Sequence, residues 1–362
     1  MALEIDVLAV GEKSKGGDAV ALRFGDLHGS RNEQIVMVVD GGTKDSGQEL
    51  VTHIRNRYRT DRVDIVVSTH PDADHISGLT KVLTHLEVDE LWMNRPTNHS
   101  AVLEAMARNA SGRLLLNAQL RESIEQADQV EQLARDNGVP IREAFFDGQC
   151  SDFGAGYQVY ILGPTQFYYE QLCEEMREQK EQAKQTLTAA VANYARSVGT
   201  QVLEAVGKET LTDEGETSPS NNSSVVLLVR TPDGDAFLAA DAGIPALEYV
   251  VTHAEQLGID LSTCHFQQVP HHGSKRNIGP TLLNTLIGPK WGSRSPISVC
   301  VSAPKEGRPK HPSFNVTNAY KRRGADVFTT EGESFWFRRG QCPQRTGYRT
   351  ATPLGYGPEE DE

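Results

Sequence analysis

Positive charge is the first thing this 362-residue chain is short of: 36 Lys and Arg stand against 49 Asp and Glu, a formal net charge of −13. So acidic a balance argues against non-specific adhesion to nucleic acid, which cationic surface drives. It leaves a nuclease open, because metal ions and a few nearby cations can supply positive charge locally. Long apolar runs are missing as well. None approaches the roughly 20 residues that a helix needs to cross a bilayer, and the start, Met1 to Asp6, has no basic segment leading into an apolar one. A cytoplasmic protein with no membrane partner is expected. The five cysteines, Cys150, Cys173, Cys264, Cys300 and Cys342, are odd in number and widely spaced, which speaks against a zinc ribbon and reads as reduced core residues. With 38% hydrophobic and 23% charged residues, the composition is that of an ordinary globular protein, and the length allows one large domain or two.

What the chain does have is the stretch Ser68-Thr69-His70-Pro71-Asp72-Ala73-Asp74-His75. The apolar run Val63 to Val67 before it reads as a buried strand, and the run Ile76 to Leu86 after it as a helix. Two imidazoles and two carboxylates therefore crowd one strand-to-helix turn. Such a set suits one or two divalent metals, whose charge offsets the repulsion between Asp72 and Asp74. A plain polar turn with an N-capping Asp would need only one of the four residues. The spacing His-x-Asp-x-Asp-His, followed by Ile-Ser-Gly-Leu, resembles the metal motif of the metallo-β-lactamase superfamily, whose commoner form has His at the position of Asp72. The Asp-bearing variant is similar to the soluble hydrolase domain of the competence protein ComEC and its stand-alone relatives.

Strands and helices alternate along the rest of the chain. Leu3 to Val10 and the segment after Gly16-Gly17-Asp18 read as strands, and Ile35 to Val39 runs into the turn Asp40-Gly41-Gly42. Leu50, Val51, Ile54 and Tyr58 recur at helical spacing, and Arg113 to Asn137 carries one apolar stripe up to Gly138. Residues 165–215 form a charged, helix-favouring insertion with a stripe of Leu187, Val191, Tyr194 and Val198. It suits a cap over the site, a homo-oligomer contact or an outer packing helix, and Thr212 to Ser220, overlapping its end, reads as a mobile acidic loop. Ser223 to Val229 and Ala236 to Ala240 form a hairpin that ends at Asp241. In His271-His272-Gly273-Ser274, adjacent histidines are expected to point to different sides, so that one ligates a metal while the other lines the pocket or holds an outer bond. Lys275 and Arg276 follow at once; beside a metal they suit an anionic substrate, and elsewhere they would be solvated surface charges. Lys310-His311-Pro312-Ser313 opens a helix with Ser313 as its cap. Ala325 to Thr330 and Ser334 to Phe337 read as a closing hairpin, and Gly340 to Glu362 as a loose tail.

The resemblance spans roughly residues 3 to 338 and implies an α/β protein, a four-layer αββα sandwich, over residues 1–340 with the insertion at 165–215 and a polar tail at 341–362. It implies that Asp40 supports a ligand loop through hydrogen bonds. It places His70 and Asp72 on a first metal, Asp74, His75 and either His271 or His272 on a second, and Asp241 as a bridge. Many relatives carry a ligand His where this chain has Asn221-Asn222, so a weaker amide or water is expected there, with Asn222 in a supporting role. The late His-Pro of ComEC-like hydrolases corresponds to His311, which is expected to reach the substrate or a metal, and Asp74, Lys275 and His311 are the expected catalytic residues. Two divalent ions, Zn²⁺ or Mn²⁺, roughly 3.5–4 Å apart would hold a hydroxide of lowered pKa between them. The implied reaction is phosphodiester cleavage, with nucleic acid or a small phosphodiester as the substrate partner. The alternatives are hydrolysis of a carboxylic ester or lactone and, ranked last, a non-catalytic metal-binding regulator.

Overall fold

The computed structural model describes residues 1–12, 16–108, 110–178, 209–292, 297–308, 310–346 and 351–359. Two seven-stranded sheets form its centre. One contains β1 (Ala2–Val7), β2 (Ala19–Gly25), β3 (Gln34–Gly41), β4 (Arg62–Ser68), β5 (Glu87–Met93) and β6 (Ile141–Arg142). The other runs through β7 (Cys150–Asp152), β8 (Gln158–Gly163), β9 (Val226–Arg230), β10 (Ala236–Leu238), β11 (Phe266–Gln268), β12 (Ser298–Val301) and β13 (Asp326–Thr329). A last strand, β14 (Phe335–Gly340), returns to the first sheet beside β1.

The unbroken apolar runs have a physical reason: both faces of these strands are covered. Met37 and Val39 of β3 meet Leu227, Val229 and Phe266 between the sheets. Val36 and Val38, pointing the other way, meet the helices Lys44–His53, Leu79–His85 and Ala118–Asp136. The second sheet repeats this: Val226 and Leu228 of β9 face Leu247, Leu283 and Val316 on the helices Ile244–Gln256, Pro280–Leu286 and Phe314–Arg322. The result is helix, sheet, sheet, helix, the mixed α/β sandwich that was expected. In each sheet one half is parallel, β3 to β6 and β10 to β13, so the loops after β3, β4, β10, β11 and β12 open on one rim, where an open α/β sheet binds its ligands.

Three expectations are corrected. Residues 325–337 are not a hairpin, because β13 pairs with β12 in one sheet and β14 with β1 in the other. The alternation of Phe335 and Phe337 explains the crossing, since both rings are buried beside Phe266 between the sheets, and β1 offers β14 a full ladder. The end of the chain is tied down where described. Arg345 pairs with Glu4 and Asp6 at 2.7 Å, Leu354 donates its N–H to the Val327 carbonyl, and Glu359 pairs with Arg322. Composition hides such anchors, because each consists of one polar group meeting one buried counter-charge. The segment Thr212 to Ser220 is fastened as well: Asp213 accepts from the Thr281 N–H and hydroxyl at 3.0 and 2.6 Å, and Ser218 caps the short helix Pro219–Asn222. Of the insertion, the helix Gln166–Glu178 is described; the stripe from Leu187 to Val198 lies outside the described residues. Among those described, no helix is long and apolar enough to cross a membrane.

Candidate metal centre and its cleft

Close backbone approach places the histidine-rich turn. A Cβ on Gly78 would stand 1.9 Å from the Gly41 carbonyl oxygen, and one on Gly47 2.2 Å from that of Gly78. Only hydrogen fits at these contacts, so the start of the helix Leu79–His85 can lie on the end of β3, and Asp40 reaches the metal loop. Of the seven non-glycine residues with positive φ among those described, four are Asp40, Ala240, His271 and His272. Sparsely populated backbone thus gathers around one centre, as it does where function requires it.

Hydrogen bonds orient the rings. Asp40 accepts from the Thr69 N–H at 2.8 Å, the Thr69 hydroxyl at 2.6 Å and His75 Nδ1 at 2.9 Å. Because the Thr69 hydroxyl spends its proton on Asp40, it is the acceptor for His70 Nδ1 at 3.0 Å. His272 Nδ1 donates to the Ser302 carbonyl at 2.9 Å, and His271 Nδ1 to Asn277 Oδ1 at 3.0 Å. Four imidazoles are thereby turned with Nε2 inward. Those atoms stand 3.9 Å (His70), 3.4 Å (His75) and 3.6 Å (His271) from Asp241 Oδ2, and His272 Nε2 is 3.7 Å from Oδ1. Nε2 of His70, His75 and His272 and Oδ1 of Asp241 are buried with no hydrogen-bond partner. Buried polar atoms are rarely left so, and orphaned nitrogen and oxygen donors converging on one point fit a metal ion.

Asp74, His75 and His272 present ligand atoms within 4.8 Å of one another, as do Asp18, His75 and Asp241. Asp72 faces His70 Nε2 at 3.9 Å and accepts from Ser220, Ser123 and Gln119. Burial opposes charge on Asp241, but His271, His75 and His272 hold its pKa well below the usual carboxylate range. Burial likewise opposes charge on His75, yet Asp241 and Asp40 lift its pKa well above the usual imidazole range, so a cation binding there competes with a proton. His311 is pushed down to about 4 by burial and by His272, His271 and Lys310. Its ring stacks 5.8 Å from that of His271, and its Nδ1 has no partner.

A cleft of about 780 Å³ opens over this cluster. Asp72, Asp74, Asp241 and His271 form its floor, with Lys275, Arg276, Lys310 and His311 along its wall. None of the three cations is ion-paired with a carboxylate among the described residues. The structure therefore brings together every expected site residue except Asn222, which stands one layer back and accepts the Gly243 N–H at 3.1 Å. It corrects the expectation that His271 and His272 point apart: φ values of 46° and 54° curl the turn and send both rings inward. Asp18, Asn277 and Gln268 were missed, and of the pair Asn221-Asn222 it is Asn221 whose amide lies beside a histidine, 3.1 Å from His271 Nδ1. Gln268 bridges Asp18, at 2.8 Å, to the Ala240 N–H, and the one hint in the sequence is an isolated acid after Gly16-Gly17 at the head of an apolar strand.

The fold is consistent with a metallo-β-lactamase sandwich, and the family model described as the metallo-beta-lactamase superfamily matches residues 31–143, from the approach to β3 through the metal turn to β6. Among solved structures, the chain is similar to a CmlA beta-hydroxylase mutant at 12% identity and TM-score 0.44, covering 92% of this chain but only 54% of that one. It is also similar to the metallo-β-lactamase MIM-1 from Novosphingobium pentaromativorans (13%, TM-score 0.36, 88% and 89% covered) and to AbOPH, a hydrolase in the beta lactamase superfamily (9%, 0.35, 70% and 82%). At these values the likenesses say nothing of activity. No curated protein matches the chain.

Proposed function

We propose that this protein is a metal-dependent hydrolase of phosphodiester bonds, of the kind found in the ComEC-like branch that its Asp72-bearing motif resembles. The observation that carries the reading is the cleft: Lys275, Arg276 and Lys310 stand beside a converging set of histidines and carboxylates, so one wall suits a phosphate and the floor suits cations. His70 and Asp72 would hold one divalent ion, Asp74 and His75 a second, and Asp241 both. Zn²⁺ or Mn²⁺ there would acidify water and polarise the phosphorus centre. The protein's own groups do the rest. Lys275 and Arg276 orient the substrate's phosphate oxygens. His311, pushed down to about 4 by burial and by His272, His271 and Lys310, stays neutral at pH 7 and presents an uncharged imidazole at the cleft wall. Asp40 and Thr69 keep His70 and His75 turned inward.

The test is hydrolysis of single- and double-stranded DNA, RNA and bis-p-nitrophenyl phosphate in parallel, after chelation and return of Mn²⁺ or Zn²⁺. Asp74→Ala is expected to lose metal-dependent turnover. Lys275→Ala is expected to raise KM about tenfold at similar kcat, the loss of one charge-assisted hydrogen bond. Turnover of the small diester alone would move the substrate class to small phosphodiesters, and activity that survives both chelation and Asp74→Ala would overturn the proposal.

A further inference from the structure

The doubled histidine is the part of the site where backbone strain has the clearest product. An extended chain would send His271 and His272 to opposite sides, but two consecutive left-handed residues, costing about 1–3 kcal/mol each, turn both inward. Two donors on one tetrahedral ion, with bonds of about 2.1 Å, lie roughly 3.4 Å apart. All four Nε2 atoms come near that spacing from Asp241: His272 alone faces Oδ1, at 3.7 Å, while His271 faces Oδ2 at 3.6 Å, the oxygen that His75 (3.4 Å) and His70 (3.9 Å) also face.

Their neighbours differ too. His272 groups with Asp74 and His75. His271 leans on the short helix Pro219–Asn222, whose Asn221 Nδ2 lies 3.1 Å from its Nδ1 and whose Ser220 hydroxyl donates to Asp72 at 2.7 Å. His271 and Asp72 therefore share one side of the cluster. Asn277 fixes the ring. Its Nδ2 donates to the Asp241 and Ala242 carbonyls at 2.9 and 3.4 Å, which leaves Oδ1 to accept from His271 Nδ1 and keeps the Nε2 lone pair inward. Asn221 Nδ2 meanwhile donates to the Thr217 hydroxyl at 2.7 Å.

We infer that the two histidines serve different ions: His272 completes the position of Asp74, His75 and Asp241, and His271 the position of His70, Asp72 and Asp241, with Asn277 as the positioning residue for His271. This rests on the two-metal reading but on no particular substrate. It is tested by Mn²⁺ content, measured by mass spectrometry after chelation, reloading and dialysis, in which no hydrolysis assay takes part. The wild type is expected to hold two equivalents, and His271→Ala and His272→Ala one each. The pairings decide the matter: Asp74→Ala/His272→Ala damages one position and keeps one ion, whereas Asp74→Ala/His271→Ala damages both and keeps none. Asn277→Ala, a milder change, is expected to weaken one of the two equivalents about 10–100-fold. Melting curves in chelator identify any variant that fails to fold, for which His271→Gln or His272→Gln is substituted. Two equivalents retained by folded His271→Ala or His271→Gln, one ion retained by the Asp74/His271 pair, or a wild type that binds only one ion would each overturn the assignment.

Discussion

A single hydroxyl ties the supporting carboxylate to the first histidine. Thr69 Oγ1 donates to Asp40 and accepts from His70, so it sets which nitrogen of His70 carries the proton. Valine has the same shape and neither function. Thr69→Val is expected to lower metal affinity about 10–100-fold, read by competition with a chromophoric chelator, with little change in the chelated protein's melting temperature; unchanged affinity would mean that packing alone holds His70. Legibility in the sequence was uneven at this scale. His70, Asp72, Asp74 and His75 stand within six residues, so their chemistry can be read from spacing. Asp18 and Asn277 act through partners far along the chain, Gln268 for the one and the Asp241 carbonyl for the other, and nothing local marks them.

At the level of elements, the contact among Gly41, Gly47 and Gly78 decides whether the metal turn is formed. Gly78→Ala would push a methyl group into the Gly41 carbonyl oxygen, and separating the helix from β3 would carry Asp40 away from Thr69 and His75. The expected loss is about 2–3 kcal/mol, as for overpacking of a tight core, in urea unfolding of the chelated protein, together with weaker metal binding. Stability equal to wild type would show that the helix start can give way. Most elements were legible because their apolar periods match their burial: β3, β4 and β9 read as strands, and Ala118–Asp136 as a helix. The last two strands were misread for a reason that periodicity cannot reveal. A turn between two strands looks the same whether they pair with each other or with separate sheets, and here the choice belongs to β1 and β12.

Across the whole molecule, acidic charge is handled by sparse, deeply placed cations. Asp6 is buried with Tyr58 and Arg345 as hydrogen-bond donors at 2.7 Å, and the His53 Nε2 atom stands 3.1 Å away as an ion-pair neighbour. Burial would raise its pKa, but His53 and Arg345 hold it well below the usual carboxylate range. A depressed carboxylate pKa stabilises the fold fully above the unfolded value of about 3.9 and loses that contribution as pH falls toward the folded value. Asp6→Asn is therefore expected to be less stable than wild type by about 3 kcal/mol at pH 7, with the gap narrowing steadily below pH 4 in denaturant titrations. A gap that does not depend on pH would assign the loss to packing. Neither the Asp6 network nor the tie from Glu359 to Arg322 can be seen in the overall balance of charge, which is why the final segment read as loose.

The pairing of β1 with β14 has a mechanical side. Ala2 stands opposite Gly340 and Val7 opposite Phe335 in an antiparallel ladder, so a load applied between residues 2 and 340 pulls on one end of the ladder and peels it rung by rung. The same load between residues 7 and 340 acts along the strands and strains the rungs together. In a force spectrometer the first geometry should yield at low force, and the second only after the whole ladder ruptures at once.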